Sequence, residues 1–291
     1  MKKKFLMLAA LVLSASAYSQ FYVSLSGGYG FESNKKVLGQ DVNAGVRTDL
    51  EGSYGAGIQT QLRAGYFFTN TIGAELALGY LHGENTDTQK VTNTPGIPTM
   101  STYARGRAFG ASLSAVVNIT ENIYVRAGGV TKVGGRTESY TQVSHTLPVA
   151  LFNPTVTDPT VQAELNAAFQ TNFHGKIPFG FIGAVGYKHK LTDKISIFGE
   201  VEYLNIAVPR KKSKLDSFSA TFAGQNITRD QLVGGVNNLL ASPIVPEATK
   251  SAVGRLLPLV QDEYDWTNSN PPDAPYSSWG FHVGVTYHFG K

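Results

Sequence analysis

The sequence predicts an all-β fold: an eight-stranded antiparallel up-and-down transmembrane β-barrel with long extracellular loops carrying short helices. Three observations predict it. Apolar and polar residues alternate with a period of two through eight segments. Charged residues inside those segments share a face with the glycines and glutamines, and one short turn motif recurs between segments otherwise joined by long connections. The chain has 291 residues, with 31 glycines, 16 Phe, 14 Tyr and no cysteine. The missing cysteines exclude a disulfide framework, thiolate metal sites, a catalytic thiol and a lipid-modified N-terminal cysteine.

The chain opens with Lys2, Lys3 and Lys4, an apolar run over 5–13 and mostly small residues over 14–19. This is the pattern of a secretory signal peptide, too short for a permanent membrane helix. We assign it to residues 1–19, leaving 20–291 as the barrel domain. It holds three of the 25 basic residues and none of the 21 acidic ones, so the mature chain keeps 22 against 21 and a charge of +1. The overall charge of +4 therefore belongs largely to the leader. A nucleic-acid partner, which needs a concentrated basic surface, is not expected. Beyond residue 20 no apolar run approaches the ~18 residues of a membrane helix.

The first strand covers about 21–31, with Phe21, Val23, Leu25, Tyr29 and Phe31 on one face and Tyr22, Ser24, Ser26, Gly28 and Gly30 on the other. The second covers 54–68, setting Tyr54, Ala56, Ile58, Leu62, Tyr66 and Phe68 against Gly55, Gly57, Gln59, Gln61, Arg63 and Gly65. Segments 72–83, 103–119, 123–133, 177–191 and 195–208 continue the pattern. The last, 279–289, has Trp279, Phe281, Val283, Val285, Tyr287 and Phe289 on one face. Arg63, Glu75, Arg126, Lys188, Glu200 and Glu202 all lie on the polar face. That face is expected inside and the apolar face, with aromatics at its ends, outside against lipid.

Three connections share one pattern: Phe68-Thr-Asn-Thr-Ile72, Ile119-Thr-Glu-Asn-Ile123 and Leu191-Thr-Asp-Lys-Ile195. Each reads as a tight turn. The other four are long, at about 33–52, 85–102, 137–175 and 212–276. Short turns on one side and long loops on the other predict periplasmic turns and termini and extracellular loops. Counting back from the turns places Arg63 opposite Glu75 and Lys188 within a diagonal step of Glu200. Eight strands leave an interior that side chains fill, so these lumen charge pairs are expected to plug the barrel.

In the third loop Asp158 and Pro159 precede Val161, Leu165 and Phe169 at helical spacing. The fourth holds Leu232, Val236, Leu239 and Leu240, then Leu256 and Leu257 after Pro243 and Pro246. These amphipathic helices must bury their apolar faces, as a cap on the barrel or against another outer-membrane protein. Arg105 and Arg107 lie on the outward face near the loop end of the fourth strand, and Arg210, Lys211, Lys212 and Lys214 at that of the seventh. Their height and sign suit the phosphates of outer-leaflet lipopolysaccharide.

The leader, the alternating strands, the three turns and the aromatic-ended last strand resemble the eight-stranded outer-membrane barrels of the OmpA and OmpX type. The resemblance is architectural and spans the mature chain, although Gly290 and Lys291 follow the final aromatic. It implies the outer membrane of a Gram-negative bacterium, and a barrel without the periplasmic domain of longer members. Lipid deacylases of this build carry His-x-Ser on a strand. Here the six histidines are followed two positions on by Glu84, Leu147, Lys176, Leu191, Gly284 and Gly290. No catalytic, cofactor or metal residues are therefore assigned, and the inward-facing His282 and His288 are read as lumen packing. The expected function is a non-enzymatic barrel presenting structured surface loops, in envelope integrity, adhesion or a larger assembly. The alternatives are a lipid-modifying enzyme and a narrow channel or carrier for ions or small hydrophobic molecules.

Overall fold

The computed structural model describes residues 21–289 apart from 154, 157, 159, 244, 269 and 270. The segment assigned as a signal peptide lies outside the described residues, as do Pro159 and the last two residues. Numbered along the chain, the barrel wall is β1 (Phe21–Glu32), β4 (Gly57–Phe67), β5 (Ile72–Gly83), β7 (Thr99–Asn118), β8 (Ile123–Pro148), β10 (Gly180–Lys190), β11 (Ile195–Asn205) and β17 (Ser278–Phe289). Strands outside the wall are β2 (Lys36–Asn43), β3 (Val46–Gly52), β6 (Thr86–Thr92), β9 (Gln162–Gly175), β12 (Ala207–Val208), β13 (Arg210–Phe222), β14 (Gln225–Asn226), β15 (Glu263–Asp265) and β16 (Ala274–Pro275).

The eight wall strands form a closed antiparallel ring in chain order, sealed where β1 pairs with β17 from Phe21↔Phe289 to Glu32↔Ser278. The alternation sets the two faces. Leu25, Leu62, Leu113, Val185 and Val285 project outward and exposed, while Ser24, Arg63, Ser114, Arg126 and Glu200 project inward and buried. An inside-out distribution of this kind is stable only when hydrocarbon surrounds the wall. Aromatic pairs mark both edges of the apolar band: Phe21–Phe289 and Tyr66–Phe68 at the short-turn end, Tyr80–Phe109 and Tyr203–Trp279 at the other. The chain is thus a membrane-spanning eight-stranded barrel.

The repeated turn has a direct cause. Thr69 Oγ1 accepts from the Thr71 and Ile72 amides at 3.2 and 3.0 Å. Thr120 Oγ1 does the same with Asn122 and Ile123, and Thr192 Oγ1 with Lys194 and Ile195. One hydroxyl thus satisfies two amides that the hairpin would otherwise leave open.

Several boundaries depart from the sequence reading. The second strand starts at Gly57 rather than at 54, because the backbone turns there through φ +131°. Tyr54 and Ala56, expected against lipid, are instead turned into the molecule and buried. The sixth strand starts at Gly180, and the exposed Phe179 ring covers outward-facing Gly129.

The larger departure concerns the connections at 85–102 and 137–175, which are mostly strand. β7 and β8 stay paired far beyond the membrane band, to Thr99↔Ser144. A bulge beside Phe109 and Gly110 shifts the register, and Gly135 follows at φ +88°. On this raised ribbon a second sheet is built, in the order β3–β2–β6–β7–β8–β9–β13–β14, with β15 pairing on β13.

The helix expected around Val161, Leu165 and Phe169 is not formed. Asp158 Oδ1 does accept the Thr160 amide at 2.8 Å, but in a turn that leads into β9. Leu165, Ala167 and Phe169 face the interior at period two, paired with β8 and β13. Val161 is left exposed.

The fourth connection does contain helices, α1 (Arg229–Ala241) and α2 (Glu247–Gly254), followed by a 3-10 turn at Leu257–Leu259. Thr228 and Gln231 form a reciprocal capping box at the start of α1. Leu232, Val236 and Leu239 bury against Leu147, Leu165, Ala167 and Phe222, with Leu240 and Leu257 at the margin. Leu256 flanks a neighbouring cluster around Phe169 and Val260. Each fully buried Leu contributes about 1.5–3 kcal/mol. The apolar helix faces are therefore covered within the chain, and both cluster with β9 into one outer domain.

Candidate functional site

Three features stack along the barrel axis. Nearest the short turns is a charge cluster raised from inward positions of β4, β5, β8 and β11. Arg63 on β4 forms a two-pronged pair with Glu200 on β11, with Nη1 donating to Oε2 at 3.0 Å and Nη2 to Oε1. Arg126 on β8 donates to Glu200 Oε1 at 2.9 Å and to Glu202 Oε2. Gln61 Nε2 reaches both Glu202 oxygens at 3.1 and 3.0 Å, and Tyr124 donates to Glu200 at 2.8 Å. Glu75 accepts from Tyr22 at 2.8 Å and lies 3.9 Å from Arg126. His282, fully buried on β17, stands 3.8 Å from Glu202.

All six predicted lumen charges thus point inward, but the expected opposition of Arg63 and Glu75 is corrected. Gly65, not Arg63, lies opposite Glu75, whereas Lys188 does stand a diagonal step from Glu200, opposite Phe198, but makes no ion pair with it. Arg63 reaches across the lumen to a strand far away in sequence. Lys188 instead donates to Asn118 at 2.7 Å and sits over the Phe67 ring. Two guanidiniums face three carboxylates here, with bidentate geometry offsetting their desolvation.

Above the cluster the lumen turns apolar. After β11 and before β17 the chain folds into the mouth as the β12–β16 ribbon, placing Ile206, Val208, Ala274 and Tyr276 against Leu81, Ala108, Val130 and Ile182. A cavity of about 100 Å³ remains between them, with Glu202 at its floor. Tyr276 hydrogen-bonds Thr137 at 2.7 Å and packs on Tyr54. Beyond it, inside the outer domain, lies a further cavity of about 160 Å³. Lys132, His174 and Arg210 lie on its wall, and Leu256 and Leu259 on its roof.

The rim cations separate into different environments. Arg105 and Arg107 keep their outward face and gather, with Arg136, around the Glu138 carboxylate at 2.9, 3.8 and 2.9 Å. Burial alone would raise the Glu138 pKa, but the hydrogen bonds from Arg105 and Arg136 outweigh it and hold the carboxyl below its ordinary range. The second cluster is corrected. Arg210 turns into the inner cavity and stacks on Phe173 at 5.0 Å, because a bulge between Arg210 and Lys212 resets the alternation. Lys212 and Lys214 both pair with Glu263, and Lys211 stays exposed. Sequence reasoning missed Tyr22, Gln61 and Tyr124 as partners of the charges, and Lys132, His174 and Tyr276 altogether. The first three shared the inward face already recognised; the others lie at the wall's outer end or beyond it.

The fold and site together define a class: a membrane-spanning eight-stranded barrel with a filled lumen and a folded outer domain. No protein-family model and no curated protein matches the chain. Among solved structures it is similar to CarO of Acinetobacter baumannii, at 12% identity over 94% of this chain and 99% of that one, with a TM-score of 0.31. It is also similar to the outer membrane protein OprG of Pseudomonas aeruginosa, at 10% identity over 94% and 98%, TM-score 0.33. A FadL homologue of Pseudomonas aeruginosa follows at 8% over 93% and 91%, TM-score 0.23. The barrel itself is established by its own closed hydrogen-bond ring, independently of these likenesses.

Proposed function

We propose that the protein is a non-enzymatic outer-membrane barrel whose folded outer domain, displayed outside the cell, is its working part, while the barrel serves as a closed anchor. The filled lumen carries this reading: the Arg63–Glu200–Arg126–Glu202 cluster and the apolar ribbon block the axis in series. A hydrated ion crossing it would have to break charge-assisted bonds in a low-dielectric interior. The wall strands continue directly into the outer domain, a build suited to holding a binding surface at fixed height and orientation. Short turns and termini are then periplasmic.

In this reading Arg105, Arg107 and Arg136 meet the phosphates of outer-leaflet lipopolysaccharide. Three guanidiniums against one carboxylate leave positive charge just above the aromatic belt. Changing all three to Gln should reduce co-purified lipopolysaccharide while the Lys212/Lys214 pair of changes does not; equal retention would remove the glycolipid assignment. Planar-bilayer recording tests the closed anchor. The refolded chain is expected to give no sustained conductance in concentrated KCl, and steady open-channel steps would replace this reading with the channel alternative.

A further inference from the structure

The cavity within the outer domain has a composition that the filled-lumen reading does not require. Three cationic or protonatable side chains, Lys132, His174 and Arg210, lie on its wall, and no Asp or Glu does. In the lumen cluster the enclosed guanidiniums are answered by a carboxylate, as Arg63 and Arg126 have Glu200. Here neither Lys132 nor Arg210 forms an ion pair with a carboxylate among the described residues. The Lys132 ammonium rests over the Tyr276 ring at 5.6 Å, and its hydrogen bond to the Gly135 carbonyl is long, at 3.5 Å. Arg210 lies over Phe173. Aromatic faces offset only part of the desolvation of such cations. His174 shows the resulting field. Burial first, then the charges of Lys132, Lys212, Arg136 and Lys214, push its pKa below the ordinary histidine value.

The remaining wall is of two kinds. Tyr54, Thr102 and Ser139 supply hydroxyl-bearing side chains, while Met100, Leu256 and Leu259 supply apolar surface. At about 160 Å³ the space matches a compact organic molecule; an apolar cavity of roughly 150 Å³ accepts benzene. We propose that the cavity binds a small organic monoanion, a carboxylate carried on a compact apolar body, with Lys132 and Arg210 holding the charged end and the Met100–Leu256–Leu259 side the apolar end. This goes beyond the closed-anchor reading and does not depend on it: a chain that conducts in bilayers could still hold the ligand.

Benzoate is the probe, titrated into the full chain in detergent and followed by calorimetry, with benzamide as the uncharged isostere and inorganic phosphate as the anion without an apolar body. The expected result is saturable one-to-one benzoate binding with much weaker binding of the other two. Lys132→Gln and Arg210→Gln should each weaken benzoate about tenfold or more, the scale of one charge-assisted hydrogen bond, while Lys132→Arg retains it. Heat-modifiable gel mobility checks that each variant is folded. Should a neutral variant fail to fold, the wild-type comparison of the three probes decides by itself. Absence of saturable benzoate binding, benzamide binding as tightly, or phosphate binding as tightly would each overturn the proposal.

Discussion

At the scale of single residues, Glu200 is the centre of the lumen. It accepts from Arg63, Arg126 and Tyr124 together. Glu200→Gln takes from buried Arg63 the carboxylate it pairs with and from Arg126 one of its three, a loss of about 3–5 kcal/mol. Denaturant unfolding should show this, whereas Lys188→Gln, beside the short turns, should change stability by less than about 1 kcal/mol; equal costs would contradict the central place given to Glu200. Inward direction was legible for every one of these residues, since a period of two assigns a face without further information. Partners were not legible. Hairpin counting relates only adjacent strands, whereas Arg63 meets Glu200 by crossing the ring, which requires knowing how the barrel closes. Glu138 brings a pH dependence. Its folded-state pKa is depressed, so its contribution is present above the ordinary carboxylate range and lost as pH falls through the folded value. Amide protection factors in the raised β7–β8 ribbon, which correct for the slower intrinsic exchange in acid, should therefore fall below about pH 4, and Glu138→Gln should remove that acid-dependent component. An unchanged profile in the variant would assign the acid sensitivity elsewhere.

At the scale of elements, the wall strands could be read because alternation and the threonine turn repeat eight and three times over. The raised ribbon could not. Residues 85–102 are mostly polar, with Val91, Ile97 and Met100 scattered among them, and 137–148 adds only Tyr140, Val143 and Leu147, so nothing local distinguishes a strand that leaves the membrane and keeps its pairing from one that ends in a loop. β9 shows why the helix expectation failed: Leu165 and Phe169 are four apart, which fits a helical stripe and also one face of a strand. The unpaired edge of β8 decided it by offering partners from Thr137↔Phe173 to Pro148↔Gln162. For α1 the local signals agreed with the tertiary contacts, and Thr228 caps it. Thr228→Ala should cost about 1 kcal/mol, visible as faster amide exchange over 229–241 with the barrel unaffected; unchanged exchange would mean that packing on β13 alone sets the helix start. Gly135 supports the ribbon differently. It sits at φ +88°, and a Cβ there would meet the Arg107 carbonyl at 1.9 Å. Gly135→Val should render the outer domain protease-sensitive while the membrane band stays heat-modifiable.

At the scale of the whole molecule, one β-structure serves two solvents. The same antiparallel ring that turns leucines outward into hydrocarbon continues into a domain that turns leucines inward, and the change occurs at the β8 bulge and at Gly57. The general architecture was readable from the sequence because it is periodic; the outer domain was not, because its core joins residues from all four long connections. In the proposed arrangement this domain stands outside the cell on a membrane-embedded barrel. The absence of native cysteine makes it directly testable by single-cysteine labelling of intact cells with a membrane-impermeant maleimide. Val46→Cys, exposed at the β2–β3 turn, should be labelled in intact cells. Glu121→Cys and Asp193→Cys, in the short turns, should react only after the outer membrane is permeabilised. Labelling of the short turns in intact cells, with the β2–β3 turn protected, would contradict it.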